Sequence, residues 1–207
     1  MKNTIKYLIL LIIYLVCGVN LQAQNYTFRN VVMSDGLSGL LVNAIYKDSE
    51  GFVWLGTDNC LDRFDGVKVR RYEFRGVDSG RKKRVNCITE TADNQLWVGN
   101  GIGLWRLNRA NGQLERIVPE KIDFAVNTLL PDGDILYIGT EKGLFIQKDG
   151  QLLQVLTDRN MLAACNRIMD LCLNEDKSAL WLATVQGLFS YSLKDGKIDS
   201  WHFQENV

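Results

Sequence analysis

The sequence lacks most of the residues on which catalytic and metal sites depend. It contains one histidine, His202, and five cysteines without a CxxC pair, which argues against a zinc site of the usual Cys/His kind. A catalytic triad is excluded as well, because the single histidine has no evident partner. There are 24 Lys and Arg and 24 Asp and Glu residues, so the formal net charge is zero. This balance does not indicate nucleic acid or an acidic membrane surface as a partner.

The residues of a kinase are missing too. A phosphate-accepting histidine would lie on a helix beside an acidic residue, whereas His202 lies between Trp201 and Phe203 in a strand-like context. The segment Gly99–Gly103 resembles a glycine-rich nucleotide loop only superficially, because it aligns with the turns of a repeat described below. We therefore predict that this chain is not an enzyme and that it holds no cofactor and no metal.

The sequence contains no long apolar run after its N-terminal segment. A basic start precedes an apolar run over residues 7–16, and about ten apolar residues are too few for a transmembrane helix, which needs about 20. The pattern is typical of a secretory signal peptide that is cleaved between Ala23 and Gln24. A lipoprotein site at Cys17 is the weaker alternative, because Val16 is bulkier than the small residue such a site needs. We expect a periplasmic protein whose mature chain has no membrane span.

A short motif recurs four times and organises the rest of the chain. Its first copy is Gly51-Phe52-Val53-Trp54-Leu55-Gly56-Thr57, and later copies keep an aromatic anchor, a small residue two positions on, and a following glycine turn. The anchors lie 43, 40 and 44 residues apart and are Trp54, Trp97, Tyr137 and Trp181. A period of about 40–45 residues with one aromatic strand and one glycine turn per unit is typical of β-propeller blades.

Each unit divides into four strand-like pieces. In the first unit these are Val42–Lys47, Phe52–Thr57, Leu61–Phe64 and Lys68–Phe74, and Asp65-Gly66 between the last two is a strong hairpin signal. We predict an all-β propeller of four-stranded antiparallel blades within 24–207, with blades at about 42–76, 85–118, 126–156 and 165–203. Closed propellers have typically 4–8 blades, but no closing strand can be identified after the fourth unit, so we expect an incomplete part of a larger propeller.

Two further predictions concern the blade starts. The units open on Val42-Asn43, Val85-Asn86, Val126-Asn127 and Cys165-Asn166, an alignment that places Cys165 in an apolar position as a buried thiol. The stretch from Asn25 to Asp35 has mixed aromatic and β-branched residues and is predicted to be a strand. The pairing of the cysteines that follow the leader does not follow from the sequence; they are Cys60, Cys87, Cys165 and Cys172.

Candidate binding residues are few, and each has a structural alternative. Trp105 is the one tryptophan outside the anchor position within a unit. It is a weak candidate for a sugar-stacking platform, although packing is the favoured interpretation. The basic run Arg81–Arg84, with three further arginines near it in sequence, could meet an anionic glycan, but a solvated loop is favoured. Aspartates before the anchor strands favour turns over calcium sites; they are Asp48, Asp93, Asp132 and Asp176.

Several stretches of the first unit resemble the first blade of the two-component regulator propeller family. They are Val31–Ser38, Val42–Asp48, Gly51–Thr57 and Leu61–Gly66, and the likeness extends from about Phe28 to Asp199. Members are the extracytoplasmic sensor regions of hybrid two-component systems in gut Bacteroidetes. In that family two large propellers precede a β-sandwich domain, a transmembrane helix, a histidine kinase, a receiver and a DNA-binding domain, and the periplasmic part recognises oligosaccharides.

The resemblance implies a non-enzymatic periplasmic sensor fragment for oligosaccharides, truncated after about four blades and without the kinase part. Two alternatives for the fold stay open: a compact propeller closed by residues 25–32, or a half-propeller completed by another propeller chain. Two alternatives for the function also stay open. One is a secreted propeller enzyme of the quinoprotein or lyase type, and the other is a purely structural or interaction propeller.

Overall fold

The computed structural model describes residues 5–7, 28–77, 83–117, 122–156 and 167–201. The chain divides into two units, Met1–Asn30 and Val31–Val207, and the fold described here belongs to the second. The predicted cleavage position at Ala23 and Gln24 lies outside the described residues and stays a prediction. No helix among the described residues is long and apolar enough to span a membrane.

Sixteen strands form four antiparallel sheets, each with four strands in chain order. Blade 1 contains β1 (Val42–Lys47), β2 (Val53–Thr57), β3 (Leu61–Phe64) and β4 (Val69–Tyr72). Blade 2 contains β5 (Val85–Glu90), β6 (Leu96–Asn100), β7 (Gly103–Asn108) and β8 (Gln113–Ile117). Blade 3 contains β9 (Val126–Asp132), β10 (Ile135–Thr140), β11 (Gly143–Lys148) and β12 (Gln151–Gln154). Blade 4 contains β13 (Ile168–Leu173), β14 (Ala179–Thr184), β15 (Gly187–Ser192) and β16 (Ile198–Trp201). The predicted all-β class with four-stranded blades is confirmed.

The turns form for the local reasons that the sequence indicates. At the β3–β4 hairpin the Asp65 carboxylate accepts hydrogen bonds from the backbone N–H groups of Val67 and Lys68, at 2.8 and 2.7 Å. Gly66 follows with φ +96°, a conformation that glycine adopts without steric penalty. Cys60 stands where later units have a glycine with positive φ, but it does not share that conformation. The first β2–β3 turn therefore has a different backbone from the later ones and places no strain on Cys60.

Neighbouring blades pack through a small residue on one side and a β-branched residue on the other. The first strands contact in sequence order, β1 with β5, β5 with β9 and β9 with β13. A Cβ atom on Gly99 would lie 2.6 Å from the Val126 side chain, and one on Gly139 would lie 2.8 Å from that of Ile168. Protein interiors leave no room for such an extra atom. This pairing of a glycine with the first residue of the next blade defines what we call the blade seam.

The seam also corrects one alignment. Val42, Val85 and Val126 each pair across their hairpin with the last residue of the second strand, and in blade 4 Ile168 takes this place opposite Thr184. The apolar first position is therefore Ile168, and the alignment that put Cys165 there was three residues off. Cys165 itself lies outside the described residues. The blade 4 hairpin has a longer turn than that of blade 3, which shifts its first strand relative to the anchor.

The two outermost blades expose the positions that the internal seams bury. Val42 is 44% exposed, whereas the equivalent first residues of the other three blades are fully buried. Ile45, further along the same strand, is 71% exposed. On blade 4 the anchor Trp181 is only half-buried, although the other three anchors are buried. We call these surfaces the blade 1 face and the blade 4 face.

The segment before β1 differs from its prediction. In place of a strand, Met33–Asp35 form a short 3-10 helix that ends at Gly36, whose φ is +104°. The Asp35 carboxylate accepts a hydrogen bond from the backbone N–H of Val32 at 2.9 Å, a local bond that favours a turn over a strand. The remaining part of the predicted strand, 25–27, lies outside the described residues.

Candidate functional site

The segment between the 3-10 helix and β1 is fixed to blade 1 by a buried carboxylate. Leu37 is buried, and the backbone N–H of Ser38 donates to Asp62 at 2.7 Å. The Ser38 hydroxyl also lies 2.9 Å from that of Thr57. Asp62 is fully buried on β3, at the position that carries Trp105 or phenylalanine in the other blades. The Gly-Leu-Ser stretch thus covers the side of blade 1 that another blade covers elsewhere.

The turn aspartates have structural roles. Asp48 is buried and accepts hydrogen bonds from the Phe52 backbone N–H and from the Trp54 indole, both at 2.8 Å. In blade 2 the hydroxyl of Thr91 accepts the corresponding indole hydrogen bond from Trp97 at 3.1 Å. In both blades the anchor indole therefore donates to a side chain six residues before it, a carboxylate in blade 1 and a hydroxyl in blade 2.

The other three aspartates follow the turn interpretation only in part. Asp93 and Asp176 accept hydrogen bonds within their own turns, as predicted. Asp132 instead ends strand β9 and forms an ion pair with Lys177 of blade 4 at 2.6 Å. Within the described residues no group of three or more His, Cys, Asp or Glu is arranged to hold a metal ion.

Trp105 lies in the hydrophobic core between blades 1 and 2. Its side chain is 1% exposed, its indole donates to the Asn100 side chain at 3.1 Å, and its ring meets Phe74 edge-on with centroids 5.0 Å apart. A sugar platform needs an accessible ring face, which Trp105 does not present in this structure. The packing interpretation therefore accounts for all of its described contacts.

A charged concave surface lies between the outer strands of blades 1 and 2. It encloses about 350 Å³, and blade 1 contributes three arginines to it, Arg70, Arg71 and Arg75. Blade 2 contributes the turn and strand start that run from Asn111 to Leu114. We call this concavity the arginine cavity. The three arginines are close together in the sequence, but the sequence did not indicate which blade 2 residues lie next to them.

The lining of this cavity combines charged side chains with buried ones. The Arg70 guanidinium lies over the ring of Tyr72, 5.1 Å from its centroid, and Tyr72 and Leu114 are buried. One carboxylate, that of Glu73, joins the three arginines in the lining. The guanidinium of Arg70 also lies 3.4 Å from the position of a Cβ atom on Gly112. Two blades thus approach closely around a net positive concavity.

The described part of the basic run, Lys83 and Arg84, is not among the residues that line the cavity. Arg81 and Lys82 lie outside the described residues, and Arg84 lies 4.0 Å from Asp58, at the end of the sheets where the first strands begin. At the same end Asn86 and Asn127 donate across the seams to the backbone carbonyls of Val126 and Ile168, at 2.9 and 2.8 Å. The repeated Val-Asn pair in the sequence could have indicated this seam role for the asparagines.

These structural roles explain the part of the chain that matches a known family. Residues 36–59 match the family model described as two component regulator propeller. They include the buried Leu37, the Ser38 and Asp48 hydrogen bonds and the first anchor, Trp54. This chain contains a two-component regulator propeller repeat. The resemblance found in the sequence is thereby confirmed.

Relatives of this repeat protein are parts of signalling systems. Histidine kinase P4 of Formosa agariphila is 32% identical over 79 residues, which is 38% of this chain and 6% of that protein. The extracellular domain of the hybrid two component system BT4673 from B. thetaiotaomicron is 26% identical, with a TM-score of 0.65 over 80% of this chain and 23% of that one. The corresponding domain of BT3049 from the same organism has a TM-score of 0.70 at 21% identity, covering 84% and 26%.

The chain thus spans about a quarter of these two solved domains and 6% of the histidine kinase. At 21% identity the BT3049 domain supports the fold alone. Together the family match and the neighbours show a propeller of the kind found in the sensor domains of hybrid two-component systems.

Proposed function

We propose that this chain is a non-enzymatic, ligand-binding part of an exported two-component sensor and that its ligand is an oligosaccharide. The observation that carries the proposal is the family match over residues 36–59, which falls on the residues that build blade 1. The similar proteins, which are extracellular domains of hybrid two-component systems and a histidine kinase, support the same assignment.

The arginine cavity supports a binding role. Ligand sites are concave, with volumes of about 300–1,000 Å³ and a few polar groups that fix orientation. The cavity has about this size, and the residues that line it include Arg70, Asn111 and Gln113. Amide side chains both donate and accept hydrogen bonds and so suit the hydroxyl groups of a sugar.

The same lining supports binding without cleavage. Glycosidases act through a pair of carboxyl groups that flank the scissile bond, and the arginine cavity offers one, Glu73, among three arginines. Arginines hold an anion strongly but remain protonated, so they do not serve as general acids or bases at neutral pH. The lining is thus suited to holding a ligand.

The test is a binding screen of the full chain with defined oligosaccharides, both neutral and acidic, by thermal shift and calorimetry. We expect at least one oligosaccharide to raise the unfolding temperature and to be recovered intact by mass spectrometry. Cleavage of the ligand would contradict the non-enzymatic role. Failure of every oligosaccharide to bind would contradict the sensing role.

We also propose export to the periplasm with removal of residues 1–23. The sequence pattern of a basic start, an apolar run and Ala23 before the cut supports it. Sequencing of the N-terminus from a periplasmic extract should begin at Gln24, and an uncleaved chain in the cytoplasmic fraction would contradict it.

Another propeller chain is the proposed protein partner. Its support is the blade 1 face, where Val42 and Ile45 are exposed at positions that are buried in the internal seams. Exposed apolar surface of this kind marks association sites. Sedimentation velocity of the full chain should show reversible self-association, and a monomer at every concentration would contradict the proposal.

A further inference from the structure

The internal seams pair one position of each blade with a fixed position of the next. The residue after the second strand of a blade lies beside the residue before the first strand of the following blade. Between blades 1 and 2 this pair is Asp58 and Arg84, 4.0 Å apart. Between blades 3 and 4 it is Glu141 and Arg167, 3.8 Å apart. Between blades 2 and 3 both positions carry small residues, Gly101 and Ala125.

The two outermost blades carry large apolar residues at these same positions. Val185 follows the second strand of blade 4 and is 55% exposed. Leu41 precedes the first strand of blade 1 and is 64% exposed. Burying such surface away from water is favourable. If the blade 4 face of one chain packed on the blade 1 face of a second copy as the internal blades pack, Val185 would meet Leu41.

The opposite ends of the same two faces match in charge. In the seam between blades 1 and 2, Ser49 of the first turn donates its backbone N–H and its hydroxyl to Glu90, the last residue of β5. The strand pairing and the turn hydrogen bonds place Glu175 at the position of Ser49 in blade 4, and Lys47 at the position of Glu90 in blade 1. Both side chains are exposed, and within the described residues neither has an ion-pair partner. Packing of two copies would therefore place opposite charges side by side.

At the position of the seam glycine the two faces fit less tightly. Internal seams place a glycine against the first residue of the next blade, whereas the blade 4 face carries Ala183 and the blade 1 face carries Val42. The methyl group of Ala183 leaves less room than a glycine does. We therefore expect a contact that is weaker than an internal seam and reversible.

We infer that two copies of this chain associate head to tail, with the blade 4 face of each on the blade 1 face of the other. Each chain supplies four blades, so that two chains close a ring of eight, within the usual range of closed propellers. A two-fold axis relates the two contacts, because Val185 of each copy meets Leu41 of the other. The inference rests on the proposed propeller partner and adds to it the partner's identity, its orientation and the contacting residues.

The experiment is sedimentation velocity of the full chain over a range of concentrations, with charge variants of the contact. We expect a reversible equilibrium between monomer and dimer. Lys47→Glu and Glu175→Lys should each raise the Kd of the dimer at least about tenfold, because like charges then meet at both contacts. An equimolar mixture of the two variants should restore the dimer, since each contact of the mixed dimer again pairs opposite charges. The matched control, Lys148→Glu on blade 3, should leave the Kd unchanged.

The apolar pair is tested in the same way. Leu41→Asp should raise the Kd of the dimer at least about tenfold, because a carboxylate would be buried against Val185. Its control is Leu153→Asp on blade 3, whose side chain is similarly exposed, at 57%, and which should leave the Kd unchanged. Below the Kd the chain is a monomer in which Leu41 is exposed, so the Tm measured there should equal that of the parent chain and shows that the variant is folded.

The outcomes separate this inference from the proposals on which it rests. A monomer at every concentration would overturn both the head-to-tail dimer and the proposed propeller partner. A dimer that the charge variants leave unchanged, or a mixture of them that stays monomeric, would overturn the head-to-tail contact alone. Growth into ever larger species would overturn the closed ring, because a head-to-tail contact that does not close forms filaments. Oligosaccharide sensing is tested independently by the binding screen.

Discussion

A single methyl group at a blade seam should be enough to destabilise the propeller. In Gly139→Ala the new Cβ would lie 2.6 Å from the Thr128 methyl and 2.8 Å from the Ile168 methyl. Both neighbours are β-branched and stiff at χ1. Thr128 lies in the same blade as Gly139 and Ile168 in the next, so the new methyl group strains blade 3 and pushes blade 4 away. Overpacking of this kind costs typically about 1–3 kcal/mol, and the lower backbone entropy of alanine in the unfolded chain offsets about 0.4–1 kcal/mol.

We therefore expect a net loss of about 1–2 kcal/mol in the free energy of unfolding for Gly139→Ala. In a chain of this length the loss corresponds to a fall in Tm of roughly 2–8 °C. The assay is urea denaturation followed by tryptophan fluorescence, with Tm from circular dichroism. A valine at the same position should cost more, because it adds two further carbons to the clash.

A double-mutant cycle makes the reasoning refutable. Ile168→Ala alone should cost about 2–5 kcal/mol through the cavity it leaves, but it also makes room for a methyl group on residue 139. The double variant should then be more stable than the sum of the single losses predicts, by about 1 kcal/mol or more. Ala183→Val on blade 4, where no further blade packs in the described structure, is the control and should change stability by about 0.5 kcal/mol or less. Additive losses, or a control as damaging as the seam variants, would refute the argument.

Three further outcomes follow from contacts described by the structure. Arg109→Ala should lower the free energy of unfolding by about 2 kcal/mol in urea denaturation, because the half-buried guanidinium forms 2.8 Å ion pairs with two glutamates; an unchanged midpoint would contradict it. Cys172 is exposed, whereas burial raises the pKa of Cys87, so iodoacetamide with peptide mass spectrometry should label the first much faster, and equal rates would disprove this. Hydrogen bonds from a neighbouring serine and lysine lower the pKa of Asp195 to about 2, so its stabilising contribution is complete above about pH 4 and is lost as the pH falls to 2. Asp195→Asn should remove that part of the acid dependence, and an identical pH profile in the variant would rule it out.

The local patterns of this chain predicted its strands well. The bounds of β1 and β3 agree with the sequence prediction, because turn residues on either side of each strand set them locally. The alignment of Trp105 with Asp62 and two phenylalanines is also confirmed by the strand pairing. Burial followed the repeat because each blade meets the same kind of neighbour.

The failures have a common cause in long-range packing. The alignment of Cys165 used the order of motifs rather than the distance to the anchor, and the first residues of the other blades lie 11 or 12 positions before theirs. That spacing would have pointed to position 169 or 170, one or two residues from Ile168, whereas Cys165 lies 16 positions before Trp181. The blade 2 side of the arginine cavity was not predictable, because Asn111 and Gln113 face Arg70 only after two blades pack. No local pattern carries such a contact.

The blade seam divides its two complementary parts between consecutive repeats. Gly56 belongs to one repeat and its partner, Val85, to the next, and Gly99 stands in the same relation to Val126. Removing one whole period, from residue 85 to residue 125, would bring Gly56 against Val126, a valine in place of a valine. The joint is thus interchangeable between repeats, so gene duplication or deletion in multiples of one period changes the number of blades without requiring a new interface. Differences in repeat length fall in the turns, as in the longer blade 4 hairpin, and leave the seam residues in place.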